Sequence, residues 1–215
     1  VDSARAYCPV IESAPGAAPG EVAQVTRADY AAQVRAGDLV LCRMTAPLVT
    51  ECLRLIRDGR KASVMGRDDI GEALETLTRT VERATAAMVG TVAARLEAWR
   101  DDQLRRLAND ADGMRATALN DRVDTLLAVA QYADADTFDA VRARLTTIFA
   151  DDTGGVTLAT VHKAKGLEAD RVWIVVPEKL PHPRAKSPED QQQERNLAYV
   201  ARTRARKFLA FVQSA

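Results

Sequence analysis

Residues 156–176 read VTLATVHKAKGLEADRVWIVV, two apolar runs either side of a polar turn. Val156 to Val161 and Arg171 to Val176 have the length of short strands. Downstream, a Pro-rich loop leads to helical spacing from about Pro188 to Thr203 and then to another apolar run, Lys207 to Val212. Upstream, Asp38 to Cys42 (DLVLC) follows Gly37 as a continuous apolar run, which suits a parallel strand buried on both faces, and Thr50 to Asp58 has helical spacing after Pro47. Strands alternating with helices predict an α/β fold: a mostly parallel, doubly wound sheet flanked by helices.

Proline position isolates the middle of the chain. Four prolines lie at or before Pro47 and four at or after Pro177. Between them Ile70, Leu74, Leu77, Val81, Ala84, Met88, Val92, Leu96 and Trp99 recur every three or four residues, the stripe of a long amphipathic helix with Gly90 as its candidate break. After Gly113 the spacing resumes at Leu119, Val123, Leu126, Leu127 and Ala130, and again at Phe138, Val141, Leu145, Ile148 and Phe149, before a stop at Asp151 to Gly155. The expected organisation is therefore a first α/β part over 1–67, a helical insertion over 68–152 and a second α/β part over 153–215. Packing of the insertion against its own domain is favoured over a coiled-coil surface for a partner.

A chain of 215 residues with 47% hydrophobic and 28% charged residues buries roughly 70% of its unfolded surface and needs no disulfide or metal to hold a core. Thirty basic residues balance thirty acidic ones, which excludes a polybasic binder and confines any nucleic-acid contact to a local patch. Cys8, Cys42 and Cys52 form no CxxC pair, and with no secretory leader they read as reduced thiols, Cys42 and Cys52 as small buried apolar residues. No apolar run approaches the roughly 20 residues that span a bilayer. The chain begins at Val1 without Met, so the expectation is a piece of a longer polypeptide.

Two segments carry chemistry. Thr160 to Glu168 (TVHKAKGLE) crowds a His, two Lys, a Gly and a Glu into seven residues after a strand, at the end of a parallel sheet where ligands bind. Lysines neutralise phosphate, Gly166 permits close backbone approach and Glu168 can accept from a sugar hydroxyl; the alternative is a solvated turn. In Gln193 to Ala205 (QERNLAYVARTRA), Leu197, Val200 and Ala201 share a helical face whose continuation is Arg204. A guanidinium at a core-spaced position needs an anion or acceptor, which points to a phosphate in a cleft, or else to an arginine held at a helix C-terminus by the dipole. Arg195, Tyr199 and Arg202 form a neighbouring stripe of the kind that packs on adjacent chain.

TVHKAKGLEADRVWIV and QERNLAYVARTRARKFL resemble motifs V and VI of the UvrD/Rep-like superfamily 1 DNA helicases, in order and spacing. Gly37 to Thr45 (GDLVLCRMT) is similar to the family's motif IVa strand, and Gly66-Arg67-Asp68 to the point where its second motor domain leaves a strand for a helix. The resemblance implies a RecA-like, P-loop NTPase-type C-terminal motor domain with a short insertion where the family carries its 2B domain. It implies Arg204 as the arginine finger reaching the γ-phosphate of ATP, Glu168 at the ribose, Gly166 on the nucleotide side, and Lys165 beside the nucleotide or coupling the nucleotide and DNA sites. Thr160, His162 and Arg43 would lie toward single-stranded DNA; Met44-Thr45 departs from the family pair, so Thr45 is not assigned a contact. KGLE points to the branch that moves 3′ to 5′, in a cytoplasmic, nucleoid-associated protein.

GxxxxGK[ST] is absent, and Asp151-Asp152 follows helical spacing rather than an apolar strand, so the Walker motifs and the Mg2+ ligands are expected on the N-terminal RecA-like domain of the same polypeptide. The piece alone is expected to be inactive. His162 and His182 are the only histidines and neither has a Cys or His at ligand spacing, and no GxSxG or cysteine-nucleophile motif occurs. The alternative to a motor is a helicase-like scaffold that binds DNA or a protein without turnover.

Overall fold

The computed structural model describes residues 2–12, 16, 19–107, 113–132, 134–150 and 154–213; Asp151 and Asp152, and with them most of the expected stop, lie outside the described residues. Six strands form one sheet: β1 (Glu21–Val25), β2 (Leu39–Cys42), β3 (Ala62–Val64), β4 (Val156–Thr160), β5 (Ala169–Val175) and β6 (Ala205–Val212), in the order β1-β6-β5-β2-β4-β3. Every pairing is parallel. The α/β expectation therefore holds, and the apolar runs are continuous because both faces of the sheet are covered.

Side chains alternate between those faces. Val40, Cys42, Leu158, Trp173 and Val175 belong to one buried cluster, while Leu39, Leu41, Ala159, Val172 and Ile174 belong to another. The first is completed by α3 (Thr45–Arg57) and by four helices between β3 and β4: α4 (Glu72–Ala84), α5 (Val92–Arg106), α6 (Met114–Tyr132) and α7 (Phe138–Ile148). The second is completed by α8 (Pro188–Arg202), through Ala198 and Ala201. The long stripe read through Trp99 is two helices, because the chain turns between Ala84 and Val92; Gly90 takes a φ of 146°, and Thr91 caps the new helix at the Ala94 amide, 3.2 Å. Met88 on that turn is exposed, whereas Leu74, Val81, Val92 and Leu96 are buried.

Buried charge is paired where it occurs. Glu51 on α3 is fully buried and receives Arg54 Nη2 at 2.5 Å and Arg27 Nη2 at 2.6 Å, Arg27 being the first residue of α2 (Arg27–Gln33), the short helix between β1 and β2 that follows the one-turn α1 (Asp2–Arg5). Asp121 on α6 accepts from the Thr45 and Ala46 amides at 3.0–3.1 Å, placing a carboxylate on the N-terminus of α3. The helices after β3 are thus fastened to α3 by a cap as well as by packing. Cys42 and Cys52 are buried thiols, and burial pushes each up to about 12. Among the described residues, no helix is long and apolar enough to cross a membrane.

Candidate functional site

Thr160 to Glu168 runs the length of the sheet. Leu39 is level with Thr157 on β4 and with Val172 on β5, so Thr160 stands three residues beyond that level and Ala169 three before it. The offset of six residues is about 20 Å at the rise of a parallel strand. Because β5 is parallel to β4, the chain must return across that distance before β5 begins. Its two halves consequently serve opposite ends: Thr160 and His162 lie at the carboxyl end of the strands, and Glu168 at the amino end of β5. The placement expected of the whole segment, at the carboxyl end, applies only to its first half.

The crossing is anchored through small apolar side chains. Val161 and Ala164 are fully buried, Val161 N donates to Cys42 O at 3.0 Å, and Ala164 N to Thr160 O at 3.0 Å. Lys163 pairs with Asp69, on the helical turn that follows β3. His162, Lys165, Gly166 and Glu168 are exposed. Gly166 has a φ of 89° and open space where a Cβ would be, so backbone conformation rather than crowding within this chain calls for glycine there.

At the amino end the structure joins Glu168 to Arg204. Ala169 N donates to Arg204 O and Arg204 Nη1 donates to Leu167 O, both at 3.0 Å, so the residues on either side of Glu168 are bonded to Arg204. Arg204 Nε donates to Val200 O at 3.1 Å and Nη2 to Thr203 Oγ1 at 3.0 Å. The acceptors of Nε and Nη1 are backbone carbonyls, and Val200 O belongs to the last turn of α8, which an arginine satisfies favourably. A guanidinium has five N–H donors. The three bonds Arg204 makes among the described residues leave donors for an external anion, so anchoring at the helix end and reaching into a cleft are compatible. Glu168 and Lys165 make no hydrogen bond or ion pair among the described residues. Beside Glu168 a cleft of about 360 Å3 is lined by Gly37, Ser63, Gly66 and Arg67, among others.

At the carboxyl end, Arg43 directly follows β2 and grips Glu194 of α8. Arg43 Nε lies 2.9 and 3.1 Å from the two carboxylate oxygens and Nη2 lies 2.7 Å from Oε1. Glu194 Oε2 also accepts from His182 N at 2.8 Å. Burial pushes the Glu194 carboxyl up, but the hydrogen bonds from Arg43 and His182 outweigh it and hold the group below its ordinary value. His162 and His182 are both held below the ordinary imidazole value, first by desolvation and then by the Arg43 charge, with Glu194 opposing. Thr45, given no strand contact, donates its amide to Asp121 as the first residue of α3.

These two histidines set an expected pH dependence. A folded pKa below the unfolded value of 6.5 makes the unfolded chain take up protons first, so stability is full above about pH 6.5 and declines as pH falls through the folded values. Depressed carboxylates act at lower pH. Melting temperatures at pH 7.5 and 5.5 should drop more for wild type than for His162→Gln/His182→Gln; equal drops would exclude the histidines as the source.

No role is assigned to Glu194 or His182 from the sequence alone, although Glu194 carries a readable signal. It precedes Leu197, Ala198 and Ala201 by three, four and seven residues, a charge at a core-spaced position like Arg204 itself. Among the described residues, no group of three or more His, Cys, Asp or Glu is placed to hold a metal ion.

Residues 66–214 match the UvrD-like helicase C-terminal domain family. The ATP-dependent DNA helicase UvrD2 of Mycobacterium tuberculosis (strain ATCC 25618 / H37Rv) is 32% identical over 161 residues, covering 67% of this chain and 22% of that protein. The ATP-dependent DNA helicase PcrA of Staphylococcus aureus (strain NCTC 8325 / PS 47) is 49% identical over 65 residues, covering 28% of this chain and 9% of its own. The matched part of the chain thus spans about a fifth of the first relative's length.

Proposed function

The chain belongs to the UvrD-like helicase C-terminal domain family, and from that premise we propose that it is the second motor domain of an ATP-dependent DNA helicase that moves 3′ to 5′. Arg204 is its arginine finger and Glu168 meets the nucleotide ribose, with Lys165 and Gly166 on the same side. Thr160, His162 and Arg43 face single-stranded DNA. The helices over 68–152 stand as the short counterpart of the family's accessory insertion. An N-terminal RecA-like domain of a longer polypeptide supplies the other wall of the ATP site, including the phosphate-binding loop.

The observation that carries this reading is the pairing of Arg204 with the residues flanking Glu168 at one end of the sheet, while the same crossing segment ends in Thr160 and His162 at the other. Spare N–H donors on an anchored guanidinium can meet the charge that develops on the transferring phosphoryl group, with little reorganisation at the moment of reaction. Mg2+ bound with ATP would neutralise phosphate charge, its ligands coming from the N-terminal domain, while the charge of Arg204 would act from this one. The buried Val161 and Ala164 make the crossing segment a stiff connection between the strand side and the nucleotide side.

Assay of the longer protein is the test. ATP hydrolysis should rise at least tenfold with single-stranded DNA, and this chain expressed alone should hydrolyse none. Hydrolysis indifferent to DNA, or turnover by the isolated chain, would overturn the assignment.

A further inference from the structure

We infer that Glu194 is a positioning residue for strand binding: its carboxylate fixes the Arg43 guanidinium and the backbone at His182 in place at the carboxyl end of the sheet. The inference rests on the proposed DNA-facing role of that end. Three elements far apart in sequence meet at this one carboxylate. Arg43 directly follows β2, His182 lies in the Pro-rich loop after β5, and Glu194 stands in the second turn of α8. The side chains of Arg43 and Glu194 retain 17% and 6% of their exposure, so the carboxylate is nearly sealed from water while the arginine side chain keeps part of its surface open.

A largely buried ion pair is weak grounds for stability, since desolvation offsets most of its attraction. What the fork does supply is orientation. Gripped through Nε and Nη2, the planar guanidinium has a fixed tilt, and Nη1, which makes no hydrogen bond among the described residues, remains available to a phosphate. Glu194 also fixes the loop backbone beside it through the His182 amide. Arg43 is then a phosphate donor held ready rather than a long side chain that must be ordered on binding, and that ordering is what binding otherwise has to overcome.

The sign of the effect separates this from plain electrostatics. Glu194→Gln removes a negative charge near a phosphate track, so Coulomb's law alone predicts tighter binding. Loss of positioning predicts weaker binding. In a single-stranded DNA titration of ATPase activity in the longer protein, Glu194→Gln should raise the half-stimulating DNA concentration roughly tenfold, as for loss of one charged hydrogen-bond arrangement. Its turnover at saturating DNA and its KM for ATP should stay within twofold of wild type. A purely structural defect would instead cut turnover at every DNA concentration and leave the half-stimulating concentration where it was.

Glu194→Asp keeps the charge on a side chain one methylene shorter and should also weaken DNA dependence; if the Gln variant does not fold, the Asp variant decides by the same criterion. An unchanged or lower half-stimulating concentration overturns the inference. If wild type hydrolyses ATP without any response to DNA, the underlying reading fails and takes this inference with it. A stimulated wild type with unaffected variants sinks the inference alone.

Discussion

Arg204→Ala in the longer protein should lower DNA-stimulated ATP turnover by roughly a thousandfold while leaving nucleotide affinity within a few-fold, since arginine fingers act mainly on the transition state. The structure sharpens this expectation. Arg204 holds Val200 O and Leu167 O while keeping donors free, so as an arginine finger it would meet the nucleotide from a fixed position. A lysine has the charge but not the fork: its three donors sit on one nitrogen, and replacing the bonds to Val200 O, Leu167 O and Thr203 Oγ1 would use all of them. Arg204→Lys should therefore recover little of the lost turnover. Because alanine also strips two carbonyls of their partner, melting curves must accompany the kinetics, with rates measured well below the variant's transition. Turnover of the alanine variant at the wild-type level would remove Arg204 from the catalytic site.

The largest effect on stability is expected at Gly155→Ala. A Cβ at this position would sit 2.1 Å from Lys61 O and 2.4 Å from Lys61 C, contacts that no side-chain rotation can relieve. The same backbone ties β4 to both its neighbours: Val156 N donates to Lys61 O on the β3 side at 2.9 Å, and Gly37 N, ahead of β2, donates to Gly155 O at 3.0 Å. Accommodating a methyl group means pushing the edge strand away and stretching those bonds. A loss of about 3 kcal/mol is expected, at the upper end of overpacking effects. For a domain of this size that corresponds to a fall of roughly 6–12 °C in Tm. Gly154→Ala is the matched control, because its φ of 64° strains any side chain but nothing lies within 4 Å of the new Cβ. It should cost about 1 kcal/mol. Equal losses at the two positions would show that crowding at Lys61 is not the cause.

How far these features could be read in advance depends on whether their cause is local. DLVLC and RVWIVV announce buried parallel strands because both faces of the sheet are covered, which makes the run itself apolar. The edge strands give no such signal. Glu21–Val25 is mostly exposed, with Val22 at 55%, and Ala62–Val64 is three residues long, so neither stands out from a loop by hydropathy. Arg204 could be flagged because a charge occupied a position that helical spacing reserved for an apolar residue. Arg202, on the neighbouring stripe, packs over Tyr7 at 4.5 Å and Phe211 at 5.0 Å, the adjacent-chain contact that its stripe suggested.

The division of TVHKAKGLE between two ends of the sheet was not legible. Spacing gives the order of residues along the chain, whereas the 20 Å separation follows from the pairing register of β2 with β4 and β5. Arg43 likewise reads as an open basic residue until its partner is seen, and that partner is 151 residues away. Long-range pairing of this kind is set by topology, which local pattern does not encode.

Affinity of the longer protein for ADP with aluminium fluoride, a mimic of the transferring phosphoryl group, tests most directly whether Arg204 and Glu168 stand on one wall of a nucleotide site. Wild type should bind the mimic at least roughly a hundredfold tighter than ADP alone. Arg204→Ala should lose that gain while its ADP affinity stays within a few-fold. A gain of the same size in wild type and variant would mean that the guanidinium at 204 does not meet the nucleotide, and the account would be wrong.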